Sequence, residues 1–142
     1  MEGTPIRILV IEDDDELRRV LVTLLEAEGY LVTAAEGGSQ AVQAAHRSGF
    51  DLVVADIRMK GMDGLEALEA IQTEQPDVRS LVVAGYSTEA DSIRAIRLGV
   101  SDYLTKPFRL DSFLDAINAI VAKRRRELEK RAERDRLRTT LL

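Results

Sequence analysis

Hydrophobic positions fall into five repeated blocks along the chain. Each block opens with a short run of apolar residues, which is typical of a strand buried on both faces. A longer segment follows in which apolar residues recur every three or four positions, as they do along the inner face of a helix. The predicted strands are residues 6–11, 31–35, 52–56, 81–84 and 103–104.

Cap and turn residues separate these elements. Gly29 and Gly99 come where a helix commonly ends in a left-handed residue. Asp63 is a suitable N-cap for the third helix, as is Ser87 or Thr88 for the fourth. Strands that alternate with helices through short connections predict right-handed crossovers and a parallel sheet.

The fold class that follows is α/β, a doubly wound (βα)5 sandwich. The flavodoxin-like strand order 2-1-3-4-5 is favoured because the second strand is more amphipathic and suits an edge of the sheet. We therefore divide the chain into a domain of residues 1–122 and a charged helical extension or linker of residues 123–142.

The last helix is expected to continue into this charged extension. Glu127 and Arg131 have the spacing of a favourable ion pair one turn apart. The heptad positions carry too many charged residues for a good coiled coil. A solvated helix, a helix that forms a homodimer and a linker to a missing downstream output domain all remain open.

Composition excludes several function classes. The chain has 142 residues, about one domain, and 45% of them are hydrophobic, which argues against disorder. With no cysteine and only one histidine, His46, the sequence has neither a disulfide framework nor a Cys/His zinc site. The apolar stretches are too short to span a membrane and Met1–Thr4 lacks signal-peptide features, so we expect a cytoplasmic protein.

Charge is distributed unevenly along the chain. Residues 1–122 contain 11 Lys/Arg and 21 Asp/Glu, a net of −10, whereas residues 123–142 contain 9 and 4, a net of +5. The acidic body does not provide a broad nucleic-acid footprint, and the basic extension leaves no room for a helix-turn-helix domain. We therefore expect no direct nucleic-acid binding by this chain.

Acidic residues follow two strands that are neighbours in the predicted sheet. Glu12 and Asp13 end the first strand and Asp56 ends the third, at the switch point where ligands bind in doubly wound sheets. Carboxylates brought together repel one another unless a cation lies among them, and oxygen ligands suit Mg²⁺. Lys106 follows the fifth strand and is predicted to lie at the same edge.

Each of these residues alone has a simpler explanation. Acidic side chains after a strand also favour a helix N-terminus, which is how we interpret Asp14, Asp15 and Glu16. Taken singly, Asp56 is typical of a turn and Lys106 of a solvated surface. Their convergence at one edge favours a shared site over these separate explanations.

Three stretches carry a resemblance to a known family: Ile8–Asp14, Asp51–Gly64 and Asp102–Phe108. In order and spacing they resemble the receiver domain of response regulators in two-component signalling. No single stretch suffices, but the set is highly specific, and the resemblance covers residues 6–121.

The resemblance implies a role for each site residue. Asp56 matches the aspartate that accepts a phosphoryl group, and Lys106 matches the lysine that contacts this group. Glu12, Asp13 and Asp56, with the backbone carbonyl of Arg58, match the ligands of Mg²⁺. The donor would be a phosphohistidine on a sensor histidine kinase or a phosphotransfer protein, so the chain itself is not expected to be an enzyme.

The resemblance also implies a switch. Tyr103 matches the aromatic switch residue, and the Lys106–Pro107 bond is typically cis in this family. The output surface would be the face of helix 4, strand 5 and helix 5, a region through which a homodimer could also form.

Ala84 departs from the family pattern, which has Thr or Ser at the end of strand 4. A methyl group cannot hydrogen-bond a phosphoryl oxygen, so we expect weakened coupling between Asp56 and Tyr103. Lys60 where proline is common, and Glu12 where aspartate is commoner, are smaller departures.

Three other functions compete with this interpretation. A receiver-fold interaction module that acts without phosphorylation is the main alternative, because of Ala84. An aspartate-nucleophile phosphatase is disfavoured because Leu17 stands where that motif needs Thr or Val. An FMN-binding protein is disfavoured because the loop after the first strand is acidic.

Overall fold

The computed structural model describes residues 3–141 and confirms the predicted fold class. Five parallel strands form one sheet in the order β2-β1-β3-β4-β5, and a helix follows each strand. The strands are β1 Arg7–Ile11, β2 Leu31–Ala35, β3 Leu52–Asp56, β4 Arg79–Ala84 and β5 Asp102–Thr105. The helices are α1 Asp15–Ala27, α2 Gly38–Arg47, α3 Gly64–Glu74, α4 Glu89–Leu98 and α5 Leu110–Leu141.

Two apolar cores cover the two faces of the sheet. Alternate residues of β1 point to opposite faces, so Ile8 and Val10 join one core while Leu9 and Ile11 join the other. Helices α1 and α5 pack on the first face, and α2, α3 and α4 pack on the second. Burial on both faces explains why β1, β3 and β4 read as continuous apolar runs.

The predicted caps fix where the helices begin and end. The Asp63 side chain accepts a hydrogen bond from the backbone N–H of Glu66, and the Thr88 hydroxyl accepts one from that of Asp91. In both cases the third helical residue bonds back to the N-cap, which completes a capping box. Gly99 ends α4 in the left-handed conformation at φ +69°.

Helix α5 continues without interruption into the charged extension, but the predicted pair between Glu127 and Arg131 is wrong. Glu127 Oε1 accepts a hydrogen bond from Arg79 at 3.2 Å, and Arg131 donates to Asp77 Oδ2 at 2.8 Å. Arg124 adds an ion pair with Asp51 at 2.9 Å. These charged side chains of α5 therefore bind residues near the N-terminal ends of β3 and β4, and Glu127 and Arg131 do not bind each other.

Met1, Glu2 and Leu142 lie outside the described residues, including the first half of the segment considered as a signal peptide. Among residues 3–141, no helix has both the length and the apolar character needed to cross a bilayer.

Candidate functional site

The C-terminal ends of three strands bring four charged side chains together. Ile11 of β1 pairs with Ala55 of β3, so the residues that follow them, Glu12 and Asp56, emerge side by side. Glu12, Asp13 and Asp56 each offer a carboxylate oxygen, and these oxygens lie within 4.8 Å of one another. The predicted acidic cluster therefore exists at this edge, which we call the carboxyl edge.

Lys106 reaches this cluster from the end of β5. Its Nζ donates hydrogen bonds to Glu12 Oε1 at 2.9 Å and to Asp56 Oδ2 at 3.2 Å. Glu12 and Asp56 are only 1% and 4% exposed, whereas Asp13 is exposed to solvent. One lysine thus faces three carboxylates, two of which are buried.

The pKa values of Glu12 and Lys106 record this imbalance. Burial raises the pKa of Glu12, and the charge of Asp56 adds to the effect, against the opposing hydrogen bonds from Lys106 and Asp14. Burial alone would lower the pKa of Lys106, but the hydrogen bond to Glu12 and the charge of Asp56 outweigh it and raise this pKa. The site holds more negative charge than Lys106 neutralises, and it therefore suits a further cation.

The donor set fits Mg²⁺. Carboxylate oxygens from Glu12, Asp13 and Asp56 are hard ligands, few in number, and the exposure of Asp13 leaves the cluster open to water. Mg²⁺ prefers this combination because it keeps several water ligands and takes few from the protein. Arg58 follows Asp56 in the loop that leads to α3, where its backbone is close along the chain to the same cluster.

Gly64 allows α3 to begin directly against the end of β3. A Cβ atom at Gly64 would lie 2.1 Å from the carbonyl oxygen of Asp56. The Gly64 N–H also donates to the carbonyl of Ile57 at 3.2 Å. The backbone that carries Asp56 is therefore held by the first turn of α3, a positioning role that sequence analysis missed.

Ala84 and Tyr103 occupy the predicted switch positions near this edge. Ala84 ends β4, is 1% exposed and accepts a hydrogen bond from the Lys106 N–H at 2.8 Å through its backbone carbonyl. Tyr103 lies on β5 and packs against the apolar core that contains Ala84. Its hydroxyl is buried without a hydrogen-bond partner in the part of the chain described. The Lys106–Pro107 bond is cis.

The side chain of Arg58 points to α4 and takes part in contacts that sequence analysis did not predict. Its guanidinium pairs with Asp91 and lies over the Tyr86 ring, 5.8 Å from the ring centroid. Arg94 of α4 in turn pairs with Asp63 at 3.1 Å. Arg58 and Asp91 are 33 residues apart, and Arg94 and Asp63 are 31 apart, so no local spacing indicates these pairs.

The chain is similar in sequence to proteins of known family. A family model described as the response regulator receiver domain matches residues 8–118. The transcriptional regulatory protein ZraR of Klebsiella oxytoca is 37% identical over 125 residues, which is 88% of this chain and 28% of ZraR. The transcriptional activator protein PfeR of Pseudomonas aeruginosa is 39% identical over 78% of this chain and 37% of PfeR. The chain thus spans well under half the length of these relatives.

Solved structures of response regulators are also similar to this chain. A CheY-like receiver domain protein from Methanospirillum hungatei has a TM-score of 0.84 and 27% identity, and the alignment covers 87% of this chain and 99% of that one. The response regulator TrrA from Thermotoga maritima, in complex with Mg²⁺ and BeF, has a TM-score of 0.72 and 29% identity. That alignment covers 81% of this chain and 98% of TrrA.

Proposed function

This chain belongs to the response regulator receiver domain family, and from that premise we propose that its carboxyl edge accepts a phosphoryl group on Asp56. The observation that carries the proposal is the convergence of three carboxylates, within 4.8 Å of one another, with Lys106. This arrangement suits phosphoryl transfer, which depends on positioning and charge neutralisation more than on covalent help from other groups.

Three residues of the chain have separate roles in the proposed phosphoryl transfer. An Asp56 carboxylate oxygen forms the new bond to phosphorus while the bond from phosphorus to the donor imidazole nitrogen breaks. Lys106, held at 3.2 Å from Asp56, neutralises part of the charge on the incoming group. Gly64 keeps the Asp56 backbone fixed during the approach of the donor. The donor in this proposal is a phosphohistidine of a sensor histidine kinase or a phosphotransfer protein.

Mg²⁺ is part of the proposal as the resident cofactor. Glu12, Asp13 and Asp56, with the Arg58 backbone carbonyl, would hold it. When bound, the ion supplies the positive charge that lets an anionic phosphoryl donor approach an anionic carboxylate. Asp13 keeps the cluster open for this purpose, whereas buried Glu12 orients Lys106 through the 2.9 Å hydrogen bond.

The switch is proposed to work through α4, β5 and α5, with weakened coupling at Ala84. A hydroxyl at this position would hydrogen-bond the phosphoryl group, and such a bond to a charged partner contributes about 1.5–3 kcal/mol. The Ala84 methyl group offers none, and Tyr103 already has its hydroxyl buried. We expect Ala84→Thr to increase the change in the Tyr103 ring chemical shifts on phosphorylation, and an unchanged response would contradict the weakened coupling.

The proposal also covers partners and location. We place the chain in the cytoplasm as the substrate of its kinase, without a turnover activity of its own. The relatives continue well beyond the matched part, which supports an output domain in the same polypeptide. We also propose that α4, β5 and α5, or the C-terminal helix, can form a homodimer.

Intact-mass analysis with Mg²⁺ and acetyl phosphate tests the acceptor. We expect a gain of about 80 Da, one phosphoryl group, that disappears in Asp56→Asn. Asp14→Asn is the matched control, because asparagine preserves the N-cap of α1 while a carboxylate is lost beside the site. A folded protein that neither gains mass nor binds Mg²⁺ would contradict the proposal and favour an interaction module that acts without phosphorylation.

A further inference from the structure

Helix α4 has little apolar burial to hold it on the domain. Its buried residues are Asp91 and Ala95. The two isoleucines of the helix are exposed, Ile93 by 43% and Ile96 by 76%. Leu98 is partly buried against the core, so Ala95 and Leu98 supply the apolar contacts of α4 and polar contacts hold the remainder of the helix.

Four charged residues supply these contacts, and we call them the α4 bridge: Arg58, Asp63, Asp91 and Arg94. Arg58 pairs with Asp91, and Arg94 donates to both carboxylate oxygens of Asp63 at 3.1 and 3.2 Å. Arg94 also lies 3.7 Å from Asp91, which connects the two pairs. Both the start and the end of the loop between β3 and α3 are therefore bound to α4.

The buried position of Asp91 makes this bridge demanding. Its side chain is only 6% exposed, and it also accepts a hydrogen bond from the Thr88 N–H that closes the capping box of α4. The Arg58 side chain is 47% exposed, so only the carboxylate of this pair is buried. A buried carboxylate that loses its arginine partner is unfavourable, so displacement of Arg58 favours a matching displacement of Asp91.

Arg58 connects this bridge to the proposed phosphorylation site. It stands two residues after Asp56, and its backbone carbonyl is a proposed ligand of Mg²⁺. Building on the proposed function, we propose that the α4 bridge couples cation occupancy of the carboxyl edge to the position of α4, with Asp91 and Arg94 as positioning residues. This is a route from the site to α4 that does not pass through residue 84.

Coupling of this kind is reciprocal. If Mg²⁺ binding favours one position of α4 by a given factor, then that position of α4 favours Mg²⁺ binding by the same factor. Cutting the bridge removes this link and also releases Arg58, whose backbone carbonyl is a proposed Mg²⁺ ligand. Coupling between two sites commonly amounts to about 5–150-fold. We expect a weaker Mg²⁺ affinity by at least about fivefold once the bridge no longer positions Arg58.

The absence of cysteine from the chain allows a single reporter on α4. Ile96→Cys, at an exposed position, is labelled with an environment-sensitive fluorophore in the full chain. The label is followed during a Mg²⁺ titration, and then after addition of acetyl phosphate. Asp91→Asn and Arg94→Gln cut the bridge in this background. Asparagine retains an oxygen for the Thr88 N–H, and Arg97→Gln is the control on the same helix outside the bridge.

The expected result is a Mg²⁺ midpoint raised at least about fivefold and a smaller label response in both bridge variants, but not in Arg97→Gln. Unchanged midpoints and amplitudes in folded bridge variants would overturn the inference. An intact-mass measurement distinguishes failure of the α4 bridge from failure of the proposed phosphorylation. Failure of the parent chain to gain about 80 Da removes the proposed function, whereas a normal gain with an unaltered label response removes the bridge alone.

Discussion

Aspartates lie at both ends of the parallel strands, but their charges are neutralised to different extents at the two ends. At the carboxyl edge, Asp56 and two further carboxylates share Lys106. At the opposite edge, which we call the amino edge, Asp51 pairs with Arg124 and Asp77 pairs with Arg131, each within 3 Å. The amino edge supplies an arginine for each of these acids, and the carboxyl edge does not.

This difference separates a structural role from a binding role for the same residue type. Arginines with fixed partners join α5 to the ends of the strands at the amino edge, so the charges there are satisfied within the fold. Among residues 3–141, the ion pairs of the carboxylate cluster are those with Lys106, so the carboxyl edge keeps an excess of negative charge that suits a further cation. Substitutions at the two edges should therefore respond differently to Mg²⁺.

The largest effect is expected for Lys106→Met. Two hydrogen bonds to charged groups disappear and Glu12 is left buried beside Asp56, so we expect a loss of about 2–3 kcal/mol in the free energy of unfolding without Mg²⁺. Adding Mg²⁺ should recover more stability in this variant than in the parent. Urea unfolding with and without Mg²⁺ measures both quantities. Exposed Lys60→Met is the control, and equal losses in the two variants would remove the contrast between the edges.

A smaller effect that does not depend on Mg²⁺ is expected for Arg124→Ala. The variant loses the 2.9 Å ion pair with Asp51 and the 3.0 Å hydrogen bond to the Asp77 carbonyl. Because these groups are partly buried, we expect a loss of about 1–2 kcal/mol, compared with little change for exposed Arg126→Ala. A loss that Mg²⁺ reverses would show that the amino edge is not independent of the site.

Glu12→Gln tests the direction of charge imbalance at the carboxyl edge. Because the pKa of Glu12 is raised above 4.5 in the fold, its contribution to stability is greatest below that value and is lost as pH rises through the raised pKa. In EDTA, the variant should therefore gain stability relative to the parent as pH rises through this range. Chemical unfolding at a series of pH values measures the difference, with exposed Glu16→Gln as control. A difference that falls with pH would refute the assigned direction.

The smallest effect is expected for Asp77→Asn, and it has the opposite sign. The hydrogen bond from Arg131 lowers the pKa of Asp77 below 3.8, so its contribution is present above that pH and is lost as pH falls through the lowered pKa. The variant should lack this acid-dependent loss, and added salt should reduce the effect because the pair is exposed. Acid titration of stability, with Asp115→Asn as control, measures it. An identical acid profile in the parent and the variant would contradict the assignment.

Local signals in the sequence predict most of the fold and the centre of the site. Apolar runs locate the strands. Asp63 and Thr88, one of the two predicted caps of α4, begin helices and Gly99 ends one, because caps act over one turn. Glu12 and Asp56 meet because the topology places their strands side by side, a consequence of the strand order alone.

Long-range partners could not be predicted in this way. The spacing of Glu127 and Arg131 indicates a pair on one helix, but it contains no information on Asp77 and Arg79, which bind them instead. The same holds for Arg58 and Asp91, 33 residues apart. Charged side chains are long and have several acceptable partners, so the chosen partner depends on packing that sequence periodicity does not specify.

The uninterrupted α5 has a mechanical consequence. At about 1.5 Å per residue, the ten residues beyond Arg131 form an arm about 15 Å long, whose inner end is fixed by the ion pair of Arg131 with Asp77. A tilt of about 5° at that base would move the far end of the arm sideways by roughly 1.3 Å. A rearrangement too small to disturb the core would thus become a displacement that a neighbouring domain or a second chain can detect.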